Sequence, residues 1–291
     1  MNLQRVERPD DPRVADYWNV RERERSQRRP VLIAESRLAV RRLLARESRF
    51  RARSVLLTGS ALRALRADLE AGAGEAPVYL ASQAVLNAIL GFDLHRGCAA
   101  AAERSPGPSF PEVLAACTGG RRLLVVLEGL ADRENVGGVF RNALAFGADA
   151  VLLVPGCADP LSRRAIRVSL GASLRLPFAS LPPWPEARRS LRRAGFSLVA
   201  LAPRAAALDL RELGRARPAP ERLALLLGAE GEGLTAQALA HADAAVRIAM
   251  APGVDSLNVA SAAGIALHHL ARLPAPAPAP GGPSIPPCAG S

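Results

Sequence analysis

Apolar positions along this chain gather into short unbroken runs, separated by stretches in which they recur at helical spacing. The clearest unit spans residues 123–153, LLVVLEGLADRENVGGVFRNALAFGADAVLL. Residues 123–127 are all apolar, the pattern of a strand buried on both faces. Residues 132–135 make a polar turn able to cap a helix. Val136, Val139, Phe140 and Ala143 then fall at i, i+3, i+4 and i+7, one buried stripe. Gly137, Gly138 and Arg141 take the opposite stripe. Helical side chains lean toward the N-terminus, so Arg141 is expected over a turn that two glycines leave open. With Asn135 at the helix mouth, that is a place to receive a phosphate or a sugar. An ordinary strand–helix unit with a surface Arg is the plainer alternative.

The same reading places strands at 31–33, 55–57 and 78–81, with helices at 38–46, 61–69 and 83–90 between them. This alternation predicts a small α/β domain over residues 1–105. Residues 1–30 read as a polar, charge-mixed arm with Tyr17 and Trp18 as isolated aromatics. Residues 103–112, ERSPGPSFPE, hold three prolines and a glycine, and the linker they mark is placed at 106–120. A second domain is expected over 121–273, with further strands at 176–180, 197–201, 223–227 and 245–250. Helices are expected at 162–170, exposing Arg163, Arg164 and Arg167, at 185–194, and from Thr235. Strands separated by helices imply a parallel sheet covered on both faces. Residues 274–291, rich in Pro and Ala, read as a disordered tail.

Charge narrows the partners. The net charge is +11, and all 38 basic residues are Arg. Residues 1–53 hold 15 Arg against 8 acids, and Arg37, Arg41, Arg42, Arg46 and Arg49 form a basic stripe along and beyond the first helix. Such a stripe is either a solvated face or an RNA contact, and the overall balance favours nucleic acid. Cys98, Cys117, Cys157 and Cys288 show no paired spacing, which argues against disulfides and metal and for a reducing compartment. No apolar run approaches the ~20 residues of a membrane span, and no apolar signal region opens the chain. A cytoplasmic protein without a membrane anchor is expected.

Two more motifs carry candidate chemistry. Residues 228–233, GAEGEG, follow the run at 223–227, and their three glycines let a backbone approach a ligand closely. Their G-x-x-G-x-G spacing is not a dinucleotide fingerprint, and a generic glycine-rich turn is the alternative. Residues 248–258, IAMAPGVDSLN, read as a strand, a tight turn and the start of a helix whose buried face is Val259, Ala262, Ala263, Ala266 and Leu270. Ser256 is a candidate cap for it.

Together the blocks NVGGVFRNALAFG, LGAEGEG and IAMAPGVDSLNVA resemble the three motifs of the SpoU/TrmH family of RNA ribose 2′-O-methyltransferases, in the SPOUT class. Order, spacing and preceding strands all match, over about residues 121–272. The N-terminal part more loosely resembles the ribosomal-protein-like RNA-binding domain that precedes the catalytic domain in many members. The resemblance implies a parallel α/β sheet with a C-terminal trefoil knot, S-adenosyl-L-methionine as cofactor, a homodimer, and methylation of rRNA or tRNA. It assigns catalysis to Asn135, Arg141, Glu230, Ser256 and Asn258, and cofactor binding to Gly228, Ile248, Met250 and Leu257. Ala249 and Pro252 stand where the third motif usually has Pro and Gly, and Arg133 where the first often has Pro.

Methyl transfer to a 2′-OH requires two substrates in line and a proton removed from a weak nucleophile. No His lies in the motifs; His95, His241, His268 and His269 read as structural. The resemblance makes Arg141 the proposed base, which its high pKa opposes. A role shared with a substrate phosphate is expected, with Asn135 orienting the hydroxyl and Glu230 holding Arg141. A nicotinamide oxidoreductase is disfavoured by the glycine spacing. A non-catalytic RNA-binding protein that retains the methyltransferase fold is the stronger rival, opposed by the intact polar set.

Overall fold

The computed structural model describes residues 1–18, 31–95, 97–204, 207–213 and 220–273. The expected tail at 274–291 and residues 19–30 of the basic arm lie outside them.

The first sheet contains β1 (Asn2–Arg5), β2 (Val31–Glu35), β3 (Ala52–Leu57), β4 (Pro77–Leu80) and β5 (Cys98–Glu103), in the order β1-β4-β3-β5-β2. Strand β5 runs antiparallel to both neighbours, while β1, β4 and β3 are parallel. Helices α1 (Arg37–Leu44), α2 (Gly59–Gly72) and α3 (Gln83–Leu90) each begin on a hydroxyl cap, from Ser36, Thr58 and Ser82 respectively.

Strands β1 and β5 were not expected. The sequence CAAAAE has little strand propensity, yet Cys98 through Ala102 are fully buried between β3 and β2. Tertiary packing overrides propensity here. Nor is Tyr17 isolated: its ring is fully buried, and its hydroxyl donates to the Ser54 carbonyl at 2.9 Å and accepts from the Ala101 amide at 3.1 Å. Burial pushes that phenol well above its ordinary pKa.

Helix α4 (Phe110–Ala116) lies within the stretch read as linker. Ser109 and Glu112 form a capping box, and Phe110 and Val113 pack on the second sheet. The proline at N2, read as a breaker, suits a helix's first turn.

The second sheet contains β6 (Arg122–Leu127), β7 (Ala150–Leu153), β8 (Phe178–Ser180), β9 (Ser197–Leu201), β10 (Leu208–Asp209), β11 (Arg222–Leu227) and β12 (Ala244–Arg247). Its order is β10-β12-β9-β11-β6-β7-β8, and every pairing is parallel, as expected. The helices are α5 (Arg133–Ala145), α6 (Arg163–Val168), α7 (Glu186–Arg193), α8 (Ala236–His241) and α9 (Val259–Ala271). Along β6, Val125 and Leu127 face the core shared with α5 and α9, while Leu124 and Val126 face that of α4, α7 and α8. The last strand ends at Arg247, short of the expected residue 250.

The two sheets share a seam. Leu161, Ile166 and Leu174 pack into the core of α1, α2, β2 and β3. Glu35, almost fully buried, accepts from Arg163 at 2.9 Å, so Arg163 is not the exposed residue its spacing suggested. Arg49 donates to the Leu176 carbonyl at 3.1 Å and lies over the Phe178 ring. The expected stripe is therefore divided: Arg42 and Arg49 serve the seam, and Arg41 pairs with Asp68. Among the described residues no helix is long and apolar enough to cross a membrane.

Candidate active site

Loops at the carboxyl ends of β9, β11 and β12, with the start of α9, surround a cavity of about 650 Å³. That edge is where open parallel sheets hold ligands. The glycine-rich loop after β11 forms one wall. A Cβ on Gly228 would sit 2.4 Å from the Gly233 carbonyl carbon, so no side chain fits there. The loop turns back on itself through the Gly233 amide, which donates to the Ala229 carbonyl at 3.1 Å, with Gly231 at φ +85° at its tip.

Behind it lies a residue the sequence reading missed. Glu128, 6% exposed, accepts from the Thr235 amide at 2.9 Å, the Thr235 hydroxyl at 3.0 Å and the Trp184 indole at 3.4 Å. It thereby ties the end of β6 to the cap of α8 and braces the 228–234 loop. An acid ending an otherwise apolar strand run was the available signal.

All four residues expected to hold the cofactor, Gly228, Ile248, Met250 and Leu257, line this cavity. So do Glu230, Ser256 and Asn258. Asn258 is the hub. Its Oδ1 caps α9, accepting from Ala260 and Ser261 amides at 3.0 and 3.2 Å. Its Nδ2 donates to Asn135 Oδ1 at 2.9 Å and to Glu230 Oε1 at 2.7 Å. The cap is therefore Asn258, not Ser256, which is exposed two residues before it. Glu230 is engaged by Asn258 and the Val259 amide, and not by Arg141 as expected.

Arg141 stands apart. At ~100° per residue it falls roughly 120° around α5 from Asn135. The two glycines beside it are not open backbone. A Cβ on Gly138 would lie 2.6 Å from the Ala260 Cβ, and one on Gly137 would lie 2.7 Å from the Ala165 carbonyl oxygen. They let α9 and α6 close onto α5, and Asn142 locks the first contact by donating to the Ala260 carbonyl at 2.6 Å. Arg141 itself is exposed, with no hydrogen bond or ion pair to any described residue.

The cavity's charge is opposite to the chain's. Its charged lining residues are Glu230 and Asp255, both acidic, although the protein carries +11. Its other walls are backbone and apolar side chains, among them Leu201, Leu227, Ile248 and Met250. No histidine lines it: His241 stacks on Trp184, His268 packs on Phe146, and His269 meets the Leu213 carbonyl.

The model of the SpoU rRNA Methylase family matches residues 122–268. The chain is also 45% identical, over 94% of its length and 93% of the relative's, to an uncharacterized tRNA/rRNA methyltransferase of Mycobacterium tuberculosis. The chain belongs to the SpoU rRNA methylase family. This SpoU methylase shares its fold with an AdoMet-bound rRNA methyltransferase from Sinorhizobium meliloti, at 24% identity and TM-score 0.73, covering 93% of this chain and 98% of that one. An RNA 2′-O ribose methyltransferase structure matches at 26% identity and TM-score 0.71, covering 93% and 99%. The α/β architecture with its helix-flanked parallel sheet, and the methyltransferase class, follow from this membership.

Proposed function

We propose that this SpoU methylase transfers a methyl group from S-adenosyl-L-methionine to a ribose 2′-OH of cytoplasmic rRNA or tRNA. The observation that carries the reading is the acidic, apolar-walled cavity braced by the Asn135–Asn258–Glu230 network. A cofactor bearing a sulfonium and an ammonium suits walls whose charges are Glu230 and Asp255. Gly228 and the turn at Gly231 let main chain approach it, while Leu257, Ile248 and Met250 supply apolar contact. When bound, the cofactor supplies an electrophilic methyl group.

The chain's own residues do the rest. Asn258 fixes the Asn135 amide, so that Asn135 can orient the incoming hydroxyl. Arg141 stabilises the developing alkoxide, and a substrate phosphate shares the proton. Arg141 lies roughly 120° around α5 from Asn135, the α5 residue bonded to the cavity-lining Asn258, and in this reading it reaches the cofactor of a second copy across a shared interface. A homodimer is part of this reading. Val254 and Leu257, exposed just before α9, and Ile265, exposed on it, support it. A trefoil knot is also part of it. The segment 248–258 leaves β12 and passes Glu230 to reach α5, beyond two intervening strands.

The test supplies tritiated-methyl S-adenosylmethionine and RNA from cells lacking the gene, then digests the product with alkali. Label in alkali-resistant dinucleotides is expected, since 2′-O-methylation blocks strand cleavage. Label released in mononucleotides would place the methyl on a base and overturn the reading. RNA binding without cofactor binding would favour the non-catalytic alternative.

A further inference from the structure

Three arginines converge where the seam passes α5. Gly137 lies under α6, with Ala165 and Val168 against it, and Arg141 follows one turn later on the same face. The Arg141 side chain therefore emerges beside the end of α6. There the chain reverses through Leu170 at φ +53° and Gly171 at φ +83°. A leucine in the left-handed region is strained backbone, held in place by what surrounds it. What surrounds it is α1. A Cβ on Gly171 would lie 3.3 Å from both the Ala39 Cα and the Arg42 Cβ. Arg42 crosses the seam and donates Nη1 to the Leu170 carbonyl at 2.9 Å and the Ser169 carbonyl at 3.4 Å.

Arg175 joins from the following turn. Its Nε is buried with no hydrogen-bond partner, and its nearest acid is Glu47, at 3.9 Å and largely exposed. Burial, then the charges of Arg175 and Arg141, lower the Arg42 pKa, which places all three guanidiniums within electrostatic reach. Guanidiniums held together, with the exposed Glu47 carboxylate no nearer to Arg175 than 3.9 Å, are complementary to a multidentate oxyanion.

We propose that Arg42 and Arg175 form, beside Arg141, the seat for a backbone phosphate of the RNA strand that carries the target ribose. This rests on the reading of Arg141 under "Proposed function". Arg42 and Arg175 are positioning residues: they hold the strand so that the ribose meets Arg141, and they touch no reacting atom. The site belongs to neither sheet alone. Arg42 comes from the first and Arg175 and Arg141 from the second, so the seam itself builds it.

The experiment measures the full-length protein's affinity for a short labelled single-stranded RNA across a KCl series without cofactor. Arg42→Gln and Arg175→Gln should each reduce the slope of log Kobs against log[KCl] by about 0.7, the value of one phosphate contact on a single strand. Arg42→Lys, which keeps the charge, should restore the slope. Arg189→Gln, an exposed charge on α7, should leave it unchanged. With RNA from gene-deleted cells as methyl acceptor, both Gln variants should raise KM for RNA about tenfold while sparing S-adenosylmethionine affinity. Arg175→Gln leaves the carbonyl bonds of Arg42 intact, so it reads the seat without disturbing the seam. Unchanged slopes in both Gln variants overturn the proposal. So does an equal loss in Arg189→Gln, which would mean diffuse attraction, or an Arg42→Lys slope as low as that of Gln, which would mean carbonyl capping alone. The slopes need no methyl transfer, so a protein inactive as a methylase would fail the functional reading while this test still decides the seat.

Discussion

Asn258→Ala separates the architecture of the site from its chemistry. The substitution removes the α9 cap, worth about 1 kcal/mol. It also leaves Asn135 Oδ1, on a residue only 8% exposed, without its donor, a loss of about 1–3 kcal/mol. The bond to Glu230 is open to solvent and adds at most about 1 kcal/mol. These terms share one side chain and do not simply add, so a total of about 2–4 kcal/mol is expected. With a urea m-value of about 3 kcal/mol/M, the unfolding midpoint should fall by roughly 1 M at constant slope. Asn258→Ser keeps a capping oxygen but is too short to reach Asn135 and Glu230. It should recover about 1 kcal/mol and no more. Calorimetry should show S-adenosylmethionine binding weakened about tenfold or more in both variants, ~1.4 kcal/mol at least, because the 250–257 wall loses its anchor. An Ala variant with a wild-type midpoint and wild-type affinity would refute the claim that Asn258 is the hub.

Other outcomes follow from the same geometry. Arg141→Ala should leave thermal stability unchanged, since the side chain is exposed and bonded to nothing described, while single-turnover methylation falls about 10²–10³-fold; near wild-type turnover would remove Arg141 from the chemistry. Glu35→Ala removes the buried carboxylate that pairs with Arg163 in the seam and should destabilise the whole chain by about 3 kcal/mol in denaturant unfolding; a change below about 0.5 kcal/mol would show that water replaces the pair. Asp209 has its pKa lowered to about 2 by the Arg211 side chain, the Arg211 amide and the charge of Arg247. A depressed carboxylate pKa contributes stability that is fully present above about pH 4 and lost as pH falls toward 2, so Asp209→Asn should flatten that part of an acid-unfolding curve; an unchanged curve would contradict this.

How much of this was legible in the sequence depended on whether the signal was local. The second sheet's buried strands are unbroken apolar runs, and 123–127, 197–201 and 223–227 all appear where expected. Strand β5 was illegible because alanine says nothing local about strands; its burial between β2 and β3 decides. The second and third motifs meet at a single cavity because each follows a parallel strand and parallel strands end at one edge, and the first motif reaches it only through the Asn135–Asn258 bond. The partners of the site residues were not legible. Glycines at 137 and 138 imply closeness, but not whether ligand or helix comes close, and here helices do. Ser256 and Asn258 are both good caps; only the path of 250–257 selects the second. Nothing in the spacing of Arg42 announces that it reaches a carbonyl more than a hundred residues away.

The seam also bears on how the molecule finds its place on a long substrate. Leu161, Ile166 and Leu174 complete the first sheet's core, so neither half is a finished body without the other. Cutting the chain near residue 105 should yield an aggregating fragment rather than a trimmed enzyme, because those side chains and Phe178 would face water. A tethered pair of beads could search a range of separations; this pair cannot. Whatever the five-stranded sheet grips is held at a set offset from Asn135 and Arg141, like the jaws of a caliper locked at one reading.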